Sequence, residues 1–185
     1  MMILTTVHGQ TIELIRGDVT LQATDAIVNA ANSELAGGGG VDGAIHRAGG
    51  PNIMAETRQR YPNGCPTGSA VISGAGDLQA THVIHAVGPV WNGGHRKEAD
   101  LLASAYQHCL KLAVEHDCRS IAFPSLSTGA YRYPLDQAAG IALRTVWDYL
   151  QTAGQPEVVY FVLFGDDPYA AFHKALTGLK QKNDA

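Results

Sequence analysis

Residues 25–50, Asp-Ala-Ile-Val-Asn-Ala-Ala-Asn-Ser-Glu-Leu-Ala-Gly-Gly-Gly-Gly-Val-Asp-Gly-Ala-Ile-His-Arg-Ala-Gly-Gly, carry the pattern that decides the fold. Ala26-Ile27-Val28 is a short apolar run with β-branched residues and reads as a buried strand. A polar turn ends in four glycines, Gly37 to Gly40, and Val41 to Ala48 has helical composition. The glycines therefore sit where a loop enters a helix N-terminus. At such a junction the first-turn N–H groups lack intrahelical partners and the macrodipole is positive, so backbone alone can hold an anion. Asn32 and Asp42 stand at the two lips of this turn. They can flank a reacting atom beside a bound phosphate, or serve as an Asx turn and a helix cap, the commoner uses of these residue types.

The pattern repeats further along the chain. Ser120 to Pro124 reads as a short buried strand, and Ser125 to Pro134 as a loop offering hydroxyls, a glycine and two tyrosines before a helix from about Leu135 to Leu150. In open α/β sheets the loops after parallel strands gather at one edge, where ligands bind, so the two loops can face each other. Upstream, Ile3–Val7 and Thr11–Ile15 suggest an edge hairpin, with Asp18 just after it able to cap a turn or to accept a hydrogen bond from a base or sugar. A second short helix is expected over 51–60, strands over 69–73 and 82–87, and a long amphipathic helix over 98–116. His82 and His85 read as sheet-lining or solvent-facing, and residues 88–95, with Trp91, as a mobile loop able to cover a cleft. Val158 to Phe164 should be a central strand buried on both faces, followed by a last helix over 169–179 and a fraying tail over 180–185. The expectation is one α/β domain over residues 1–185, a mixed sheet between helix layers.

Composition narrows the function. The chain has 185 residues, 45% hydrophobic and 16% charged, enough for a core without disulfides or metal. No apolar run has the length of a membrane span, and the first ten residues lack a secretory pattern, so a cytoplasmic protein is expected. Three cysteines, Cys65, Cys109 and Cys118, with no metal-ligand spacing read as reduced thiols, and no metal site or cofactor is expected. A net charge of −4 argues against an extended nucleic-acid surface. Gly38-x-Gly40-x-x-Gly43 formally fits a dinucleotide-binding fingerprint, but Ala30 to Ala36 separate it from its strand and no acidic residue ends a following strand. Val41-Asp42 replaces the Lys-Ser/Thr of a P-loop, and there is no GxSxG elbow. A phosphate-cradling loop with an amide and a carboxylate beside it is what remains.

Four ordered motifs complete the reading: Gly17-Asp18-Val19-Thr20, Asp25 to Asn32, Gly37 to His46, and Ser127-Thr128-Gly129-Ala130-Tyr131. Together, over nearly the whole chain, they resemble the macrodomain family and its MacroD-type hydrolases. The resemblance implies a three-layer α/β/α sandwich that binds ADP-ribose across the strand ends. It implies that Asp18, with its neighbour Val19, receives the adenine, and that Phe164 stacks on that base. Gly38, Gly39, Gly40 and Val41 would form the first diphosphate loop, and Ser127, Thr128, Gly129, Ala130 and Tyr131 the second. Asn32 and Asp42 would lie at the distal ribose, with His46 one turn after Asp42 pairing with it or moving a proton.

The implied activity is hydrolysis of the ester at the distal ribose, on mono-ADP-ribosylated Asp or Glu of proteins and on O-acetyl-ADP-ribose, by a monomer without membrane partners. The alternative is an ADP-ribose reader with no turnover. Since a helix N-terminus favours the anionic form of a carboxylate, Asp42 is expected mainly to orient water and ribose, with the diphosphate taking part in proton transfer. One departure stands out: Arg132 occupies a position where the family often has glycine.

Overall fold

A computed structural model describes residues 2–184. One seven-stranded sheet runs through it. Its strands are β1 (Met2–Thr5), β2 (Thr11–Arg16), β3 (Ala26–Ala30), β4 (Ala70–Gly74), β5 (His82–Ala86), β6 (Ser120–Phe123) and β7 (Val158–Leu163), in the spatial order β1-β2-β7-β6-β3-β5-β4. β2, β7, β6, β3 and β5 are mutually parallel, and β1 and β4 close the two edges antiparallel.

The helices form the outer layers of a three-layer α/β/α sandwich. α1 (Gly40–Gly49) and α2 (Asn52–Arg60) cover one face; α3 (Glu98–Glu115), α4 (Leu135–Ala153) and α5 (Asp166–Asn183) cover the other. Strand alternation divides the core accordingly. Val28, Ile84, Phe123 and Phe161 pack under α3–α5 with Tyr106 and Phe172, while Ile27, Val83, Ala122 and Val162 pack under α1 and α2 with Ile45 and Ile53. Each of these phenylalanines, fully buried, contributes about 1.5–3 kcal/mol of apolar burial.

Three expectations need correction. β7 is central but not sealed on both faces: Tyr160 is only half-buried, because the α1–α2 layer is built of helices of 10 and 9 residues where the opposite layer has helices of 18, 19 and 18. The last helix starts earlier, at Asp166, since acidic side chains in a first turn complement the macrodipole. It also continues through most of the tail expected to fray, with Lys180 and Lys182 favourably placed in its last turn; Ala185 lies outside the described residues.

The topology creates the site. From β3 the chain departs to α1 on one face and then to β4 and β5; from its neighbour β6 it departs to α4 on the other face and then to β7. Adjacent parallel strands whose connections leave in opposite directions open a crevice at their carboxyl ends.

Candidate functional site

That crevice is a cleft of about 330 Å³ lined on one side by Ala30 to Asn32 and Gly38 to Asp42, and on the other by Gly88, Ser125 to Ser127 and Gly129 to Tyr131. The two loops singled out from sequence therefore face each other. The glycine loop enters α1 through Gly39, which has no side chain to cap the first turn, and Gly40, at φ +56°. That backbone conformation favours glycine, and it leaves the first-turn N–H groups uncapped by side chains beside the cleft. Gly43 is required for another reason: a β-carbon there would lie 2.6 Å from the Gly38 carbonyl oxygen, so only glycine lets the loop fold back against the helix.

Asn32 holds the loop's shape. Its Oδ1 accepts the Ala36 N–H at 3.1 Å and its Nδ2 donates to the Gly37 carbonyl at 2.9 Å. The Asx-type role is thus real, yet an amide has two N–H groups and two lone pairs, so one of each stays free on a residue that lines the cleft.

Asp42 is not the helix cap. It lies in the first turn of α1, buried, with Oδ1 accepting from Asn29 Nδ2 at 2.8 Å and from His46 Nε2 at 3.2 Å. Oδ2 lies on the glycine-loop side, 3.5 Å from where a β-carbon of Gly38 would sit. One carboxylate oxygen is therefore held by two donors while the other is turned toward the loop. Because a carboxylate is acceptor-only when ionised, His46 must carry its proton on Nε2; its Nδ1 is buried without a partner among the described residues.

Asn29, which sequence reasoning passed over, is fully buried under Asp42. Its second N–H contacts His85 Nδ1 at 3.1 Å, and His85 Nε2 contacts Ser73 Oγ at 2.8 Å. Burial, and secondarily the neighbouring His46, lower the His85 pKa from 6.5 to about 3, so this ring is neutral. The signal was present in the alternation: Asn29, Ser73 and His85 interrupt apolar strands, and β3 and β5 pair Asn29 directly with His85. Reading it requires strand adjacency, which local sequence does not contain.

The second loop is internally tied. Thr128 Oγ1 donates to Ser125 Oγ at 2.8 Å, and the Tyr133 N–H donates to the Ser127 carbonyl at 2.9 Å. Ser127 Oγ is buried and unpartnered among the described residues, in the wall of the cleft, where an anion's oxygen would satisfy it. Arg132 has φ +60°, a left-handed conformation natural to glycine. Arg132→Gly is therefore expected to raise stability by about 0.5–1 kcal/mol in urea unfolding, the relief of backbone strain exceeding the entropy glycine adds to the unfolded chain.

The loop of residues 88–97 is pinned rather than free. The Trp91 N–H donates to the Tyr131 carbonyl at 2.8 Å, and its ring packs 4.7 Å from that of Tyr133. Buried Glu98 gathers the rest: its carboxylate accepts the backbone N–H groups of Asn92, Gly94 and Arg96 at 2.9, 3.1 and 2.7 Å. Burial alone would raise the Glu98 pKa, but its own backbone N–H, together with those of Arg96, Asn92 and Gly94, lowers it from the ordinary carboxylate value. A depressed carboxylate stabilises the fold above its unfolded pKa and loses that contribution as pH falls through the folded value. Glu98→Ala should lower Tm at pH 7, with the difference from wild type shrinking on acidification; a scan at pH 7 and at pH 3.5 tests this.

Other site candidates lie outside the central cleft. Asp18 caps a short 3-10 turn at Val19–Leu21, with Oδ1 accepting from the Thr20 N–H at 2.9 Å and the Thr20 hydroxyl at 2.7 Å. The Val19 side chain is buried in the core under α1, so only its backbone could meet a ligand. Phe164 directly follows β7 and is 79% exposed, an open aromatic face at the same sheet edge. Among the described residues no group of three or more His, Cys, Asp or Glu is placed to hold a metal ion, and no helix is long and apolar enough to cross a membrane. The three cysteines are buried and free.

Comparison with known proteins places the fold. Residues 28–142 match the family model described as Macro domain. A macro domain-containing protein of Caldanaerobacter subterraneus is 58% identical, the match covering 89% of this chain and 94% of that protein. An O-acetyl-ADP-ribose deacetylase of Salmonella typhimurium is 51% identical over 90% of this chain and 94% of its own length. Among solved structures, the Oceanobacillus iheyensis macrodomain with ADP superimposes with a TM-score of 0.91 at 40% identity, covering 98% of this chain and 97% of that one. A Trypanosoma brucei macrodomain in complex with ADP-ribose gives a TM-score of 0.83 at 42% identity, covering 89% and 68%.

Proposed function

The chain belongs to the macrodomain family, and from that premise we propose that residues 1–185 act as a single ADP-ribose-binding macrodomain that hydrolyses the ester at the distal ribose. The substrates are O-acetyl-ADP-ribose and mono-ADP-ribosylated Asp or Glu side chains. The observation that supports the reading is the placement of Asp42: one oxygen locked by Asn29 and His46, the other turned toward a glycine-lined helix N-terminus.

In this reading the diphosphate lies between the N-terminus of α1 and the Ser127–Tyr131 loop. Backbone N–H groups and the unpartnered Ser127 hydroxyl meet its oxygens. Asp18 and Phe164 serve the adenine end. The free N–H and lone pair of Asn32 fix the distal ribose, and Asp42 Oδ2 orients the water. Water adds across the ester, releasing ADP-ribose and the carboxylic acid, with the diphosphate assisting proton transfer. A carboxylate bound this tightly at Oδ1 is an orienting group first, which suits a positioning role worth several powers of ten in effective concentration.

Two measurements test the proposal. Calorimetry with ADP-ribose reports the cradle, and the absence of heat in folded protein would remove the assignment. Release of ADP-ribose from a mono-ADP-ribosylated protein, set against deacetylation of O-acetyl-ADP-ribose, ranks the two substrates; binding with no turnover on either identifies a reader instead.

A further inference from the structure

Beneath Asp42 the polar side chains form a line that runs across the sheet instead of ending at the first neighbour. Ser73 on β4, His85 on β5 and Asn29 on β3 all lie on the α1–α2 face, where alternation would otherwise place apolar residues like Ile27 and Val83. Ser73, His85 and Asn29 are 1%, 2% and 0% exposed. Three fully buried polar groups in a sheet interior are costly unless they hydrogen-bond one another; Asn29 Oδ1 has no partner among the described residues, and the hydrogen bonds that link the three side chains run in one sense only.

The direction can be traced from its fixed ends. Asp42 Oδ1 only accepts, so Asn29 must present its amide nitrogen there. The second hydrogen on that nitrogen then meets His85 Nδ1, which must therefore be the unprotonated ring nitrogen. His85 carries its proton on Nε2 and donates it to Ser73 Oγ, whose own hydrogen is engaged by the Gly74 carbonyl at 2.9 Å. If His85 held its proton on Nδ1, or were charged, it would repel the Asn29 N–H, and the amide would be driven to flip and turn its oxygen toward Asp42.

We propose that His85, held by Ser73 as its neutral Nε2–H tautomer, is a positioning residue that sets the orientation of Asn29 and, through it, of the Asp42 carboxylate. The inference rests on the hydrolase reading of the cleft and deepens it: His85 is buried beneath the site and acts on turnover through Asn29, whereas diphosphate binding relies on backbone groups it does not reach. The part that matters is the acceptor at the Nδ1 position.

Two substitutions separate that acceptor from the donor. In His85→Asn the side-chain oxygen can occupy the Nδ1 position, and in His85→Gln the terminal amide nitrogen can occupy the Nε2 position. The expected result is that His85→Asn keeps kcat within about threefold of wild type, while His85→Gln lowers it about tenfold or more, with KM and the ADP-ribose Kd within about twofold in both. Ser73→Ala, a smaller change, provides a second line if either His85 variant fails to fold; it should lower kcat several-fold with binding unchanged.

A readout independent of activity is the nitrogen NMR spectrum of His85 in wild-type protein, expected to show an unprotonated Nδ1 and a protonated Nε2 that persist to pH 4.5. His46, stacked 6.3 Å away, and Asp42 beyond Asn29 are the titratable groups facing this ring. An Nδ1–H tautomer, protonation near pH 6.5, equal kcat for His85→Gln and His85→Asn, or KM rising in step with the loss of kcat would each overturn the inference. Wild-type protein that neither binds ADP-ribose nor turns over would defeat the functional reading instead, and the tautomer measurement would still stand by itself.

Discussion

Asp42→Ala should lower kcat for ester cleavage by about 10²–10⁴-fold, the range over which a positioned acid–base or water-orienting group acts, while the ADP-ribose Kd stays within about threefold of wild type. The division follows from geometry. In the proposed binding mode the groups offered to the diphosphate are the N–H groups at the start of α1 and the residues of the second loop, none of which is the Asp42 side chain. Removing the carboxylate strips the site of the oxygen that faces the glycine loop and leaves that backbone in place. It also leaves Asn29 Nδ2 and His46 Nε2 without their acceptor in a buried setting, at about 1–3 kcal/mol for each unmet donor. The variant must therefore be checked by thermal unfolding before its kinetics are read. Equal losses of binding and turnover in folded protein would show that Asp42 holds the ligand rather than aims the water.

Gly43→Ala is expected to weaken ADP-ribose binding by about tenfold or more and to destabilise the fold by about 1–3 kcal/mol, the usual range for overpacking. A methyl group there meets the Gly38 carbonyl at 2.6 Å, and that neighbour is backbone, which cannot turn aside as a flexible side chain would. The methyl pushes on the glycine loop from behind, so the proposed cradle is moved without any change in its own sequence. Calorimetry and urea unfolding of the same sample read the two effects. Retention of full affinity would mean that the glycine loop adapts around its ligand rather than being pre-shaped by the helix.

The two predictions locate the boundary between what local sequence and tertiary structure each supply. The alternation of apolar runs with helical stretches is a local property, and it was enough to place all seven strands and five helices within a few residues and to single out the two loops that line the cleft. Misplacements fell at ends, as at Asp166 and the 180–183 tail, where capping charges rather than hydrophobic period decide where a helix stops. The reading of 88–95 as mobile failed for a different reason. Its restraints come from Glu98, whose buried carboxylate reaches back to three backbone groups, and from Tyr131 and Tyr133 of the neighbouring loop.

The sequence by itself determined the sandwich, the glycine-lined helix entrance and the identities of Asn32 and Asp42, because each is written in residues close together along the chain. Only the tertiary structure decided which oxygen of Asp42 is free, that Asn32 both braces its loop and keeps hydrogen-bonding capacity, and that Asn29, His85 and Ser73 stand in line beneath them. The last of these depends on β3 lying beside β5 and β5 beside β4, and β3 and β5 are segments far apart in the chain. Strand order is set by how the whole core packs, and no short stretch of residues encodes it.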